Sequence, residues 1–343
     1  MSRQFVTDCE GPVSLNDNAM EMAAEFIPNG AKFFTKISRY DDYLVDIVHK
    51  PGYKAGDTLR LIIPFFKAYG VTKAMMEDYS RQNIMFVPGA QATLHRVLQE
   101  MEAFIISTSY HPYIQALCEV AAFPIENTYS TEINIDHYVL SKTDEKRIKE
   151  IKEEIDEMPE YDLPPEAKHF DELPEESRKT IALLQHVFWE ELPKMHAGAL
   201  LTSINPIGGP EKARALDDSL LRTGNEISEV MYVGDSITDV QVFQEVKNGG
   251  GLAVSFNGNR YAIDAAEIAL YGAGTQIITL VADAFTAGGK AEVGLLLNKM
   301  DTHMMGKINA RGAVIISESD KEKTVRESQA MRKEIRGIAG QLG

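Results

Sequence analysis

Phe5-Val6-Thr7-Asp8-Cys9-Glu10-Gly11-Pro12 is the stretch on which the interpretation of this chain turns. Its apolar start marks a buried strand over residues 4–9, and carboxylates and a glycine follow at once. In extended backbone, residues two apart share a face, so Asp8 and Glu10 point one way and Cys9 the other. Carboxylates at the end of a core strand are costly to bury unless something neutralises them, and a divalent cation is the usual agent. Gly11 lets the backbone turn sharply and come close to a ligand.

The pattern recurs in Met231-Tyr232-Val233-Gly234-Asp235-Ser236-Ile237-Thr238-Asp239. Parallel α/β sheets bind ligands beyond the carboxyl ends of their strands, so the two acidic clusters are expected to meet in one crevice, as a magnesium site for phosphoryl chemistry. An aspartate nucleophile there forms an acyl phosphate and splits hydrolysis into two easier steps, and a second carboxylate beside it can manage a proton. Ser107, at the tip of an apolar run over 103–106, offers a hydroxyl to a phosphate oxygen, with Thr108 or Ser109 as alternatives. Lys212, in Gly208-Gly209-Pro210-Glu211-Lys212 ahead of a helical stretch at 213–221, can neutralise both a phosphoryl group and the nucleophile.

Bulk properties bound the rest. A chain of 343 residues holds two modest domains, or one core with large insertions. With 44% hydrophobic and 25% charged residues, its composition is that of a soluble globular protein. No apolar run approaches bilayer length and no signal-peptide pattern opens the chain, so no membrane insertion is expected. Two cysteines, Cys9 and Cys118, indicate neither a disulfide scaffold nor a zinc cluster, and point to a reducing cytoplasm. A net charge of -16 argues against the basic face that nucleic acids require; the excess acid is assigned to solubility or to a salty cytoplasm.

Along the chain, residues 18–85 carry the texture of a small helical bundle. Met20 to Ile27 forms one helix, Tyr43 to Val48 a second and Leu59 to Tyr69 a third, with Asp57-Thr58 as its cap and Pro64 as a kink or first turn. A helix at 92–101, a strand at 103–106 and a helix at 113–120 follow. Between Lys142 and Lys179 the chain is densely charged, with Ile148, Ile151 and Ile155 at helical spacing and with Pro159, Pro164, Pro165 and Pro174 as breakers; this reads as a second insertion or docking arm. Strand, helix and strand resume at 230–233, 240–246 and 252–256, with further strands expected at 266–270 and 277–281. Phe256-Asn257-Gly258-Asn259 and Gly288-Gly289-Lys290 are turn sequences. The charged tail from Asp320 is expected to be helical and to pack outside.

In this order Asp8/Glu10, Ser107, Lys212 and Asp235/Asp239 resemble the haloacid dehalogenase (HAD) superfamily of phosphohydrolases. Its motifs are an acidic pair after the first strand, a Ser or Thr after the second, a Lys before a helix, and a Gly-Asp-Ser-x-x-Asp loop. The phosphoserine phosphatase-like branch, with a C1-type helical cap between the first two motifs, is the nearest in flavour; Pro88-Gly89-Ala90, Ser107-Thr108-Ser109-Tyr110, and Phe123-Pro124 through Ile133-Asn134-Ile135-Asp136 support it. The match covers the core, about half the chain. It implies an α/β fold: a three-layer Rossmann-like core from 1–13, 87–140 and 201–300, a helical cap at 14–86, an acidic helical insertion at 141–200 and a C-terminal extension at 301–343.

The resemblance also implies roles. Asp8 would be the nucleophile and Glu10 the general acid, then base. Ser107 or Thr108, with Lys212, would hold the phosphate, and Mg2+ would sit on Asp8, Glu10 (through its main-chain carbonyl) and Asp235, supported by Asp239. The family usually carries Asp where Glu10 stands, and the extra methylene moves the proton donor by about one carbon–carbon bond. The implied function is Mg-dependent hydrolysis of a small phosphorylated metabolite. Alternatives are phosphotransfer to an alcohol, as in family members with Glu there, or an accessory subunit with little catalysis. The last follows from similarity to archaeal HAD-like proteins, some of them subunits of a membrane-linked energy-converting hydrogenase. A homo-oligomer or a protein partner would engage through 141–200.

Overall fold

The computed structural model describes residues 3–164, 167–337 and 340, so the expected breaker Pro165 lies outside the described residues. Among the described residues, seven strands form one sheet: β1 (Gln4–Thr7), β2 (Glu102–Tyr110), β3 (Thr128–Thr131), β4 (Val230–Gly234), β5 (Leu252–Phe256), β6 (Ile268–Gly272) and β7 (Ala310–Ile315). They are ordered β3-β2-β1-β4-β5-β6-β7. All neighbours pair parallel except β7, which runs antiparallel to β6. Near-continuous apolar strands suit a sheet covered on both faces. Alternate residues divide accordingly: Phe5, Ile105, Met231, Val233 and Val254 join one apolar cluster, and Val6, Phe104, Ile106, Tyr232 and Ala253 another.

The helices are α1 (Asn18–Phe26), α2 (Gly30–Asp42), α3 (Thr58–Ala68), α4 (Lys73–Asn83), α5 (Ala90–Glu100), α6 (His111–Ala121), α7 (Lys142–Glu157), α8 (Glu175–His186), α9 (Gly198–Ser203), α10 (Pro210–Thr223), α11 (Val240–Asn248), α12 (Arg260–Ala265), α13 (Gln276–Lys299), α14 (Thr302–Lys307) and α15 (Lys321–Arg336). Helices α1–α4, inserted between β1 and β2, share a third apolar cluster with the charged segment that carries α7–α9. Ile148, Ile151 and Ile155 of α7 are fully buried there beside Phe33, Ile37 and Tyr40. The thin apolar stripe of this acidic segment is thus spent within the chain, and what it presents outward is charge. Lys36 of α2 pins the contact: its buried Nζ donates to the carbonyls of Ile155 (2.8 Å), Asp156 (3.0 Å) and Met158 (2.5 Å), satisfying the acceptors that end α7.

Several local expectations need correction. Residues 277–281 lie inside α13, not in a strand, because Ile277, Ile278, Val281, Ala282 and Phe285 bury one face at helical spacing. Gly288-Gly289 is a kink within that helix. Tyr43–Ile47 continues α2 as a turn of π-helix rather than opening a new helix. Asp57 stands at the N-cap position of α3 but caps nothing; its carboxylate accepts the Lys54 N–H at 3.2 Å and pairs with Arg60 at 3.0 Å. Pro64 falls mid-helix. The tail helix α15 does not lie outside: Thr324, Val325, Ser328, Met331 and Arg332 are buried along one face.

Candidate active site

Strand register brings the sequence motifs together. Thr7 pairs with Ile105 on one side and Val233 on the other, so Asp8 leaves β1 level with the residues that lead into Ser107 and Asp235. The Asp8 N–H still donates to the Val233 carbonyl at 2.8 Å, which fixes where its side chain emerges. Asp8 Oδ1 accepts the Cys9 N–H at 2.6 Å, and Oδ2 accepts Lys212 Nζ at 2.6 Å. Lys212 is fully buried in the first turn of α10, and Gly209 ahead of it turns at φ +54°.

Asp239 holds the second motif in shape. Its Oδ1 accepts Lys212 Nζ at 2.7 Å and the Tyr232 hydroxyl at 2.7 Å; its Oδ2 accepts the N–H groups of Asp235 and Ser236 at 2.9 and 3.1 Å. Gly11 adopts φ +112°, and a Cβ built on it would fall 2.1 Å from Asp235 Oδ2. The turn after β1 and the carboxylate after β4 therefore share a space that only glycine leaves open. Glu10 Oε1 accepts the Asn18 N–H at 2.9 Å, so its longer side chain bridges the sheet end to the start of α1.

Ser107 Oγ is buried and accepts the Ser109 N–H at 3.2 Å, which leaves its own O–H available to donate. Thr108 is committed elsewhere: its hydroxyl donates to the Ile207 carbonyl at 2.9 Å. A cavity of about 140 Å³ opens between these groups and the inserted helices; Asp8, Glu10, Ser107 and Asp235 form its floor, and Phe34, Ser38, Asp41 and Thr58 its opposite wall.

Two lining residues were not legible as site residues. Arg332 and Arg336 of α15 both reach Asp235 Oδ2, Arg332 in tight contact and Arg336 at 3.3 Å. Their spacing of four places them on one helix face, a signal present in the sequence, but nothing local says what that face meets.

Burial dominates the electrostatics. It pushes Asp8 up to about 7, helped by Asp239 and Asp235 and opposed by Lys212. Glu10 is pushed to about 8 by burial and by Asp17, against the Asn18 N–H, Arg336 and Ser109. Burial alone would lower Lys212, but Asp239 and Asp8 outweigh it and hold the ammonium above its ordinary value. Asp41 in the opposite wall is raised by burial to about 8.

Oxygens of Asp8, Asp235 and Asp239 all lie within 4.8 Å of one another. Hard carboxylate oxygens are the donors Mg2+ takes. Asp239 already accepts four hydrogen bonds, so Asp8 and Asp235 are the side chains that would hold the ion. The Glu10 carboxylate is turned to the Asn18 N–H, away from this cluster. The donor chemistry fits magnesium. Among the described residues no helix is long and apolar enough to cross a membrane.

No protein-family model matches the chain, and no curated protein does. Among solved structures, gene product AF1437 from Archaeoglobus fulgidus is similar over 100% of this chain and 99% of its own, at 26% identity and a TM-score of 0.85. A substrate-bound phosphoserine phosphatase complex is similar over 81% of this chain and 97% of its own; its 12% identity and TM-score of 0.50 speak to the fold alone. From the mostly parallel sheet, the helices inserted after β1 and these likenesses, the chain is a protein of HAD-like fold.

Proposed function

We propose that the protein is a Mg-dependent phosphatase that hydrolyses a small phosphorylated metabolite through an aspartyl-phosphate on Asp8. The observation that carries this is the convergence of Asp8, Ser107 and Asp235 near the carboxyl ends of three adjacent parallel strands, facing one cavity, with Lys212 buried behind them against Asp8. Asp8 Oδ attacks phosphorus in line, the ester P–O bond breaks, and Glu10 gives its proton to the departing oxygen. Water then attacks the acyl phosphate, Glu10 takes back a proton, and Asp8 and inorganic phosphate are released. Lys212 and the Ser107 hydroxyl would meet the phosphoryl oxygens, where fixed charge and donors stabilise the transition state. Bound Mg2+ would supply further neutralisation of phosphoryl charge, held by Asp8, the Glu10 carbonyl and Asp235.

The position of Glu10 supports its role. Docked on the first amide of α1, its carboxyl is raised by burial, so it is protonated and able to donate near neutral pH. The test is turnover of a panel of phosphorylated metabolites with Mg2+, alongside Asp8→Asn. Turnover that vanishes in the variant and on chelation of Mg2+ is the expected result. No turnover on any member, with Mg2+ still bound, would instead favour a HAD-like binding subunit with little catalysis.

A further inference from the structure

Helix α15 is stitched to the second acidic motif at several points. Ser328 Oγ donates to the Gly258 carbonyl at 2.8 Å, and in the same loop the Asn259 N–H donates to the Asp235 carbonyl at 2.9 Å. One turn further along, Arg332 contacts Asp235 Oδ2 and, at 3.3 Å, the Asp235 carbonyl; its Nε donates to the Gly340 carbonyl at 3.0 Å. Arg336 joins it on Oδ2 and donates to the carbonyls of Asn16 (2.6 Å) and Leu15 (3.2 Å), just past the first acidic motif. Both arginine side chains are only 5% exposed.

The charge balance follows. Asp8, Asp235 and Asp239 carry three formal negative charges, and Lys212, Arg332 and Arg336 carry three positive ones. The centre is therefore compensated by the chain's own side chains. A divalent ion on Asp235 would stand beside a buried guanidinium on the same carboxylate, where like charges in a poorly screened interior repel.

We propose that Arg332 is a positioning residue that serves Asp235 as a resident counter-cation and gives up Oδ2 when Mg2+ binds, so that metal occupancy and the seating of the last turns of α15 are coupled. This rests on the magnesium-dependent reading of the site. By linkage, whatever holds α15 down weakens Mg2+ binding by the same factor by which Mg2+ loosens α15.

The test uses the full chain at constant ionic strength. Mg2+ affinity is measured by calorimetry for wild type, Arg332→Met and Arg332→Lys, and amide exchange over 328–336 is followed in wild type with and without Mg2+. Expected are at least tenfold tighter Mg2+ binding by Arg332→Met, near-wild-type affinity for Arg332→Lys, and exchange over 328–336 that rises several-fold with Mg2+. Exchange that does not respond to Mg2+ overturns the coupling even if Arg332→Met fails to fold. Weaker or unchanged affinity in a folded Arg332→Met also overturns it, while Mg2+ binding by wild type leaves the phosphatase reading standing. Absence of Mg2+ binding in every form sinks both.

Discussion

Lys212 Nζ lies 2.6 Å from Oδ2 of Asp8, a buried ion pair that joins the start of α10 to the end of β1. The same ammonium holds Asp239 at 2.7 Å, so one cation ties both acidic motifs together. Replacing it by Met leaves Asp8 and Asp239 buried without their cation, and breaking a buried pair in this way costs about 3–5 kcal/mol. We expect Lys212→Met to lower the urea midpoint accordingly and to remove turnover at least a hundredfold beyond what partial unfolding explains. Near-wild-type stability would show that the pair matters little to folding.

At Gly11 a single methyl group is enough to disturb the site. Its φ of +112° disfavours any L side chain, and the new Cβ would collide with Asp235. Gly11→Ala should cost about 1–3 kcal/mol in stability, and should weaken Mg2+ binding measurably. A folded Gly11→Ala protein with unchanged Mg2+ affinity would show that Asp235 does not need this space.

Lys36 should prove structural rather than catalytic. Its Nζ meets three carbonyls at the end of α7, and removing a donor from buried acceptors costs about 1–3 kcal/mol. Lys36→Met is expected to lower the unfolding midpoint and to speed amide exchange across Lys142–Glu157, while exchange in β1 and β4 stays protected. Equal loss of protection in all three elements would instead mean that the three apolar clusters unfold as one unit.

Asp41 makes a prediction for pH. Burial raises its carboxyl from 3.8 to about 8, so the folded state holds a proton that the unfolded chain has released across that interval. Stability from this group is fully present below about 4 and is lost as pH rises to about 8. The urea midpoint of wild type should therefore fall between pH 5 and 8 more steeply than that of Asp41→Asn. Parallel pH profiles for the two proteins would contradict the assignment.

What the sequence determined by itself was local and periodic. The apolar runs ahead of Asp8 and Asp235, the strand at Leu252–Phe256 and the helix carrying Ile148, Ile151 and Ile155 are set by patterning over a few residues. The two acidic motifs pointed to one site because strand ends in a parallel sheet converge, and the resemblance to the HAD motifs added the hydroxyl and the lysine. The tertiary structure alone decided how those groups are partnered. That Ile277–Val281 is helical depended on which faces were covered, since a short apolar run is ambiguous between strand and helix. Arg332 meets Asp235 across 97 residues of sequence, and Lys36 meets Ile155 across 119. Periodicity within each segment shows which face is used but not which distant segment it meets. These contacts exist because packing of helices on the sheet in the first case, and of the inserted helices on one another in the second, brings the two surfaces together, and burial then makes each unpaired charge too costly to leave alone.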